Sequence, residues 1–171
     1  MTRYSIVPDR SQVWIDARSN VHPIHSSTSG LEGYVELDLG PSGTIDPATA
    51  PAGRLSLAVD RLKSGNRMED RELQKRIDAK KFPRIEGQLE QITPDGSNAT
   101  YRVSGEVTFR GVSRQHQDRM DITAVDDKTI RLAGESSFDI RDFGMQAPKV
   151  LLLKVEPQVQ VRVEIYAVKD E

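Results

Sequence analysis

The stretch "YRVSGEVTF", Tyr101–Phe109, places Tyr101, Val103, Gly105, Val107 and Phe109 on one side of the chain and Arg102, Ser104, Glu106 and Thr108 on the other. Successive side chains of a strand point to opposite faces, so this segment is apolar on one face only. An antiparallel strand with one wet face has this pattern. Val159, Val161, Val163, Ile165 and Ala167 repeat it against Gln158, Gln160, Arg162 and Glu164. Weaker alternation marks Val13, Ile15 and Ala17; Leu31 to Leu39; Leu55, Leu57 and Val59; Ile85, Gly87 and Leu89; and Ile130 to Ile140. A further strand is expected over Ser113–Thr123, with Met120 and Ile122 as its clearest features. Turn material such as Gly40-Pro41-Ser42-Gly43, Pro94 to Asn98 and Asp126-Asp127-Lys128 separates these segments. Eight strands result.

One segment departs from period two. Ser64 to Pro83, "SGNRMEDRELQKRIDAKKFP", is rich in helix formers and closed by proline. It predicts a short peripheral helix, with Ser64 or Asn66 as its cap. The fold class is therefore all-β: an eight-stranded antiparallel sheet with one short helical insertion after the third strand. A single sheet would leave its apolar face in water, so the strands must close into a barrel or fold over as a sandwich. A barrel of this size is filled by side chains or holds one small ligand. The inner faces carry mostly valine, leucine and isoleucine, with glycines at 33, 87, 105 and 134. Small inward residues leave both outcomes open, a ligand cavity or a thin filled core.

The 171 residues are enough for one domain, expected to span 1–171. No cysteine is present, which excludes disulfides, thiolate metal sites and cysteine nucleophiles. A net charge of −2 with interspersed signs gives no global attraction to nucleic acid or to an anionic membrane. "MTRYSIVPDR" lacks the apolar core of a secretory signal, and no apolar run approaches the roughly 18 residues of a membrane span. A cytoplasmic protein without stable membrane insertion is the expectation.

"DIRDFGMQAP", Asp139–Pro148, contains the Asp-Phe-Gly triplet with which kinases hold magnesium, but the glycine-rich loop and catalytic loop of that machinery are missing. In strand terms Phe138 and Ile140 point inward, Asp139 and Arg141 outward, and Gly144 permits a bend. No G-x-S-x-G elbow supports nucleophilic catalysis. The alternating patterns put almost no titratable group inside, so an enzyme is not expected. His22 and His25, in "NVHPIHSS", flank a proline in a loop or bulge and lack a third ligand nearby, which makes a weak zinc site. A polar contact to a ligand and an ordinary loop role are the other readings. No metal or other cofactor is expected.

"SGNRMEDREL", "KKFPRIEGQL", "YRVSGEVTFRGVSR" and "FDIRDFGM", in this order, resemble the successive motifs of the YceI-like family over about Tyr4 to Val168. That resemblance implies a lipocalin-like β-barrel that binds polyisoprenoid lipids or related long-chain amphiphiles. Two departures stand out: Glu69 precedes Asp70 where the family usually has arginine, and Ser11-Gln12 replaces a His-Ser pair. The resemblance implies a bound isoprenoid or fatty-acyl lipid, held by burial of its chain. Val103, Val107, Phe109, Leu132, Phe138, Val161 and Val163 are the expected chain-contacting residues, and Phe143 and Met145 the expected mouth. His25, Arg67 and Arg141 are the candidates for a head group, since a guanidinium grips phosphate or carboxylate with two bonds. Asp70 is expected to pair with Arg141 and fix the helix as a lid. A homodimer is plausible from the family, with Leu151-Leu152-Leu153 as a candidate face, although three successive leucines cannot share one side of a strand.

Overall fold

The computed structural model describes residues 1–46, 50–96, 99–147, 149–150 and 152–171. The period-two segments form strands β2 (Gln12–Ser19), β4 (Glu32–Leu37), β5 (Ala52–Ala58), β6 (Arg84–Pro94), β7 (Thr100–Phe109), β8 (Val112–Ala124), β9 (Thr129–Asp139) and β11 (Leu153–Lys169). Two further strands, β1 (Thr2–Ile6) and β3 (Pro23–Ser29), and a two-residue β10 (Lys149–Val150) complete the set. The barrel nevertheless has eight staves. β1 and β2 lie along the same edge of β11, with Ser5 opposite Val168 and Ile15 opposite Val161, separated by a 3₁₀ turn at Pro8–Arg10. β4 and β3 pair with β1 and β2 respectively, so each of these two staves is one strand broken in the middle.

Ser11 bridges the first break. Its fully buried hydroxyl accepts from the Tyr166 N–H at 3.1 Å, giving β11 a partner where the stave is interrupted. From β4 the order runs β5, β6, β7, β8, β9 and β11, all antiparallel, and the β1–β11 pairing closes the circle. β7 and β8 join through Arg110-Gly111, both at positive φ, the two-residue geometry that matches the twist of a hairpin. β3 ends the ladder and has no strand on its outer edge among the described residues.

Among the described residues one α-helix forms, α1 (Arg67–Ile77), following β5. Asn66 is the cap, its side-chain oxygen accepting from the N–H groups of Met68 (3.0 Å) and Glu69 (3.2 Å). Asp78 ends the helix in the left-handed conformation. Asn66→Ala is expected to cost about 1 kcal/mol and to lower the melting temperature by about 2–4 °C in a thermal denaturation followed by circular dichroism. Ser64, the other candidate, instead donates to Asp70.

The interior is unevenly filled. At the end built from β1, β4 and the last third of β11, Tyr4, Leu37, Tyr101, Ile122, Ile130 and Ile165 pack into a closed core. The Tyr101 hydroxyl accepts from the Ile45 N–H at 3.0 Å there. A separate small cluster, Val59, Ile77 and Met145, fastens α1 to the barrel. Between them lies a hollow.

Candidate ligand cavity

The hollow has a volume of about 430 Å³, within the range of roughly 300–1,000 Å³ common for small-molecule sites. Its wall comes from the inward positions of most staves, and Glu69, Asp70, Leu73 and Ile77 of α1 border it from the helix. Val103, Val107, Phe109, Leu132, Phe138, Val161 and Val163 all line it, as do Phe143 and Met145. They gather because period two along each strand and cross-strand register place alternate residues on the concave face. Gly134 opposite Val163 and Ser136 opposite Val161 continue that face on β9.

Phe143 and Met145 sit differently from the expected mouth. β9 runs into a 3₁₀ turn, Ile140–Phe143, and Gly144 reverses the chain at φ 71°. Both side chains are buried. Phe143 meets Phe109 edge to face, with ring centroids 5.7 Å apart. Met145 lies among Val59, Ile77 and the partly buried Leu73. They form packed wall under the helix.

The glycines also need correction as signs of free space. A Cβ on Gly33, at φ 134°, would lie 1.8 Å from the Arg54 carbonyl oxygen, and one on Gly105 would lie 2.2 Å from that of Gln88. These two let neighbouring backbones approach, Gly105 beside the register shift between Leu89 and Gln91. A Cβ on Gly87 would meet only ordinary contacts, 3.7 Å from Leu55. Gly87 and Gly105 both line the cavity, but of the three only Gly87 leaves room for a side chain.

The head-group candidates lie off the wall. His25 pairs with Asp16 at 2.5 Å on the outer face, and Arg67 and Arg141 are exposed. Arg141 closes a fork on Asp139, two residues earlier, with Nη2 2.6 Å from Oδ2 and Nε 3.0 Å from Oδ1. That fork holds the Asp139 carboxyl below the usual carboxylate range and raises Arg141. Asp70 therefore does not meet Arg141. It accepts from the Ser64 N–H (2.8 Å) and hydroxyl (2.7 Å), tying the helix to its own leading loop. Beside the Val59–Ile77–Met145 cluster, the helix is tied to the barrel by Gln74, which donates to the Val59 carbonyl at 2.7 Å, and by His22, whose Nε2 is 3.3 Å from Glu69. Leu153 turns into the cavity and Leu152 is 87% exposed, while Leu151 lies outside the described residues.

Two polar residues missed in the sequence, His116 and Asp118 of β8, stand on the wall beside Ser136 of β9, which the alternation from Ile130 to Ile140 already places inward. His116 Nε2 is 2.8 Å from Asp118 Oδ2 and 2.5 Å from Ser136 Oγ, and the ring stacks on Phe138 at 4.2 Å. A carboxylate only accepts, so Nε2 carries the proton and the serine oxygen accepts as well. Both partners use one nitrogen. A hydrolytic relay instead needs the acid on Nδ1 and an Nε2 lone pair facing the serine. The trio is a hydrogen-bonded node and does not have that order. The expectation that the interior holds almost no titratable group is thus corrected. Register carries the signal: counting back by twos from inward Ile122 and Met120 reaches Asp118 and His116.

No helix among the described residues is long and apolar enough to cross a membrane. No curated protein matches the chain. Among solved structures, Burkholderia cenocepacia BcnA superposes with a TM-score of 0.77 at 17% identity, covering 95% of this chain and 99% of its own. A polyisoprenoid binding domain from Saccharophagus degradans, implicated in plant cell wall breakdown, gives 0.76 at 11% identity with 98% of both chains covered. The Campylobacter jejuni YCEI protein gives 0.64 at 16% identity, covering 90% of this chain and 85% of its own. At such identities the likeness is one of fold, a closed eight-stranded antiparallel barrel with a helix. The family profile described as YceI-like domain matches residues 4–167, and the chain belongs to that family.

Proposed function

We propose that this protein binds and carries, without catalysis, an elongated apolar lipid of the polyisoprenoid or fatty-acyl class in the hollow half of its barrel. The observation that carries this reading is the cavity of about 430 Å³ walled by Val103, Val107, Phe109, Phe138, Val161 and Val163. Each methylene moved from water into such a wall contributes about 0.8 kcal/mol, so a long chain needs few polar contacts to bind. Family membership supports the same reading, as does the polyisoprenoid-binding description of the Saccharophagus degradans neighbour. An interaction module with a filled barrel is the competing function, and the hollow argues against it. A homodimer joins the proposal with little support on the surface, where Leu152 stands exposed. Light scattering across a concentration series tests it, and a constant monomer mass removes it.

Extraction of the purified protein into organic solvent, followed by mass spectrometry, tests carriage. One lipid per chain is the expected result. Absence of lipid, together with failure to bind a fluorescent long-chain probe, overturns the proposal.

A further inference from the structure

We infer that the His116–Asp118–Ser136 node selects the polar end of the ligand, accepting a group that donates a hydrogen bond, an alcohol or a protonated amine, and rejecting a carboxylate or phosphate. The inference rests on the carriage reading and sharpens which amphiphile the cavity takes.

Charge is the first argument. The carboxylates presented to the hollow are Asp118 from the wall and Glu69 and Asp70 from the helix, while Glu86, Glu106 and Glu135 border it from outward-facing strand positions. Among the described residues no lysine or arginine lines it. Two nearby arginines lie off the cavity wall: Arg110 donates through Nη1 to the Gly144 carbonyl at 2.5 Å, its Nε being buried without a partner, and Arg114 donates to the Asp142 carbonyl at 2.8 Å. An anionic head would lose its hydration and face carboxylates without a lysine or arginine partner, which a site of low dielectric penalises heavily. A donor head meets the reverse situation, because the Asp118 carboxylate has more acceptor positions than the single His116 N–H can fill.

Position is the second. Asp118 lies one inward step beyond Met120, which packs against the filled core, so the node stands near the floor of the hollow. Ser26, Ile15, Val161 and Ser136 are successive partners across β3, β2, β11 and β9, and all four line the cavity. The Ser26 hydroxyl in this row is fully buried and has no hydrogen-bond partner. Buried hydroxyls are normally satisfied, and an unpaired one costs about 1–3 kcal/mol. It marks a second hydrogen-bonding point on the cavity wall, three strands from Ser136 and four from Asp118, suited to a further polar group of the ligand.

The test is competition at pH 7 against the neutral probe N-phenyl-1-naphthylamine by four ligands of equal chain length: dodecanol, dodecylamine, dodecanoate and dodecyl phosphate. The expected result is that the alcohol and the amine displace the probe at least about tenfold better than either anion. An amine ahead of the alcohol assigns charge pairing with Asp118, and equal potency assigns a plain hydrogen bond. Asp118→Asn keeps the side-chain shape and removes the charge, and circular dichroism confirms that it is folded. It should shrink the preference of amine over dodecanoate by about tenfold. Anions that bind as well as the alcohol in the parent protein, or a preference unchanged by Asp118→Asn, overturn the inference while leaving carriage intact. Probe displacement by none of the four overturns carriage, and this inference with it.

Discussion

Val107→Trp is expected to weaken long-chain ligand binding by about 100-fold or more while moving the melting temperature by no more than about 4 °C. Val107 faces the hollow and belongs to neither packed cluster. An indole there occupies space that three or four methylenes of a ligand would otherwise fill. At about 0.8 kcal/mol per methylene the loss is roughly 2.4–3.2 kcal/mol, close to 100-fold in affinity. Overpacking normally costs about 1–3 kcal/mol because neighbours must move, but a side chain growing into empty space displaces little. Ile130→Trp is the control. Ile130 is 1% exposed within the closed core and does not line the hollow, so the same kind of enlargement should destabilise the barrel without reference to ligand. Fluorescence titration beside thermal melts of both variants separates the two halves. Unchanged ligand affinity in Val107→Trp would show that the hollow is not where the chain binds.

The difference between these two positions was only partly legible in the sequence. Val107 and Ile130 both occupy inward places of period-two strands, and alternation tells which face a residue takes, not whether its neighbours reach it. What fills one half is the arrival of β1 beside β4 and β11, bringing Tyr4 and Ile6. β1 is five residues long and offers only two inward side chains, too few for a periodic signal. β3 was missed for another reason. Its Ile24, Ser26 and Thr28 alternate with His25 and Ser27, so its polarity hardly varies from face to face, and the proline at its start resembled a loop. The wall residues followed from alternation alone. The exposed arginines drew attention because a guanidinium suits an anionic head, but Arg141 reaches a local carboxylate first.

Met145→Asp is expected to release the helix before it unfolds the barrel, raising hydrogen exchange across Arg67–Ile77 by about 100-fold or more. Sequence alone placed Met145 at the ligand's entrance, where a charge should disturb uptake and spare the fold. The structure buries it to 2% exposure against Val59 and Ile77, and these three residues form a cluster of their own. A short carboxylate there sits among Val59, Ile77 and Leu73 and has no long stem with which to reach water. Burying an unpaired charge belongs to the severe class of substitutions, and about 3 kcal/mol corresponds to a factor of roughly 150 in the opening equilibrium. The damage is directed by connectivity: Leu73 and Ile85 are shared between this cluster and the main core, whereas the strand ladder closes without the helix. Exchange measured by mass spectrometry should therefore rise in the helix well before it rises in β7 or β9. Equal acceleration in those strands would make helix and barrel one cooperative unit and overturn the prediction. Met145→Leu keeps the apolar volume, so it should retain both slow exchange and probe binding. Ligand binding lost in the aspartate variant but kept in the leucine one then reflects the departure of Leu73 and Ile77 from the cavity wall, not the loss of a specific entrance contact.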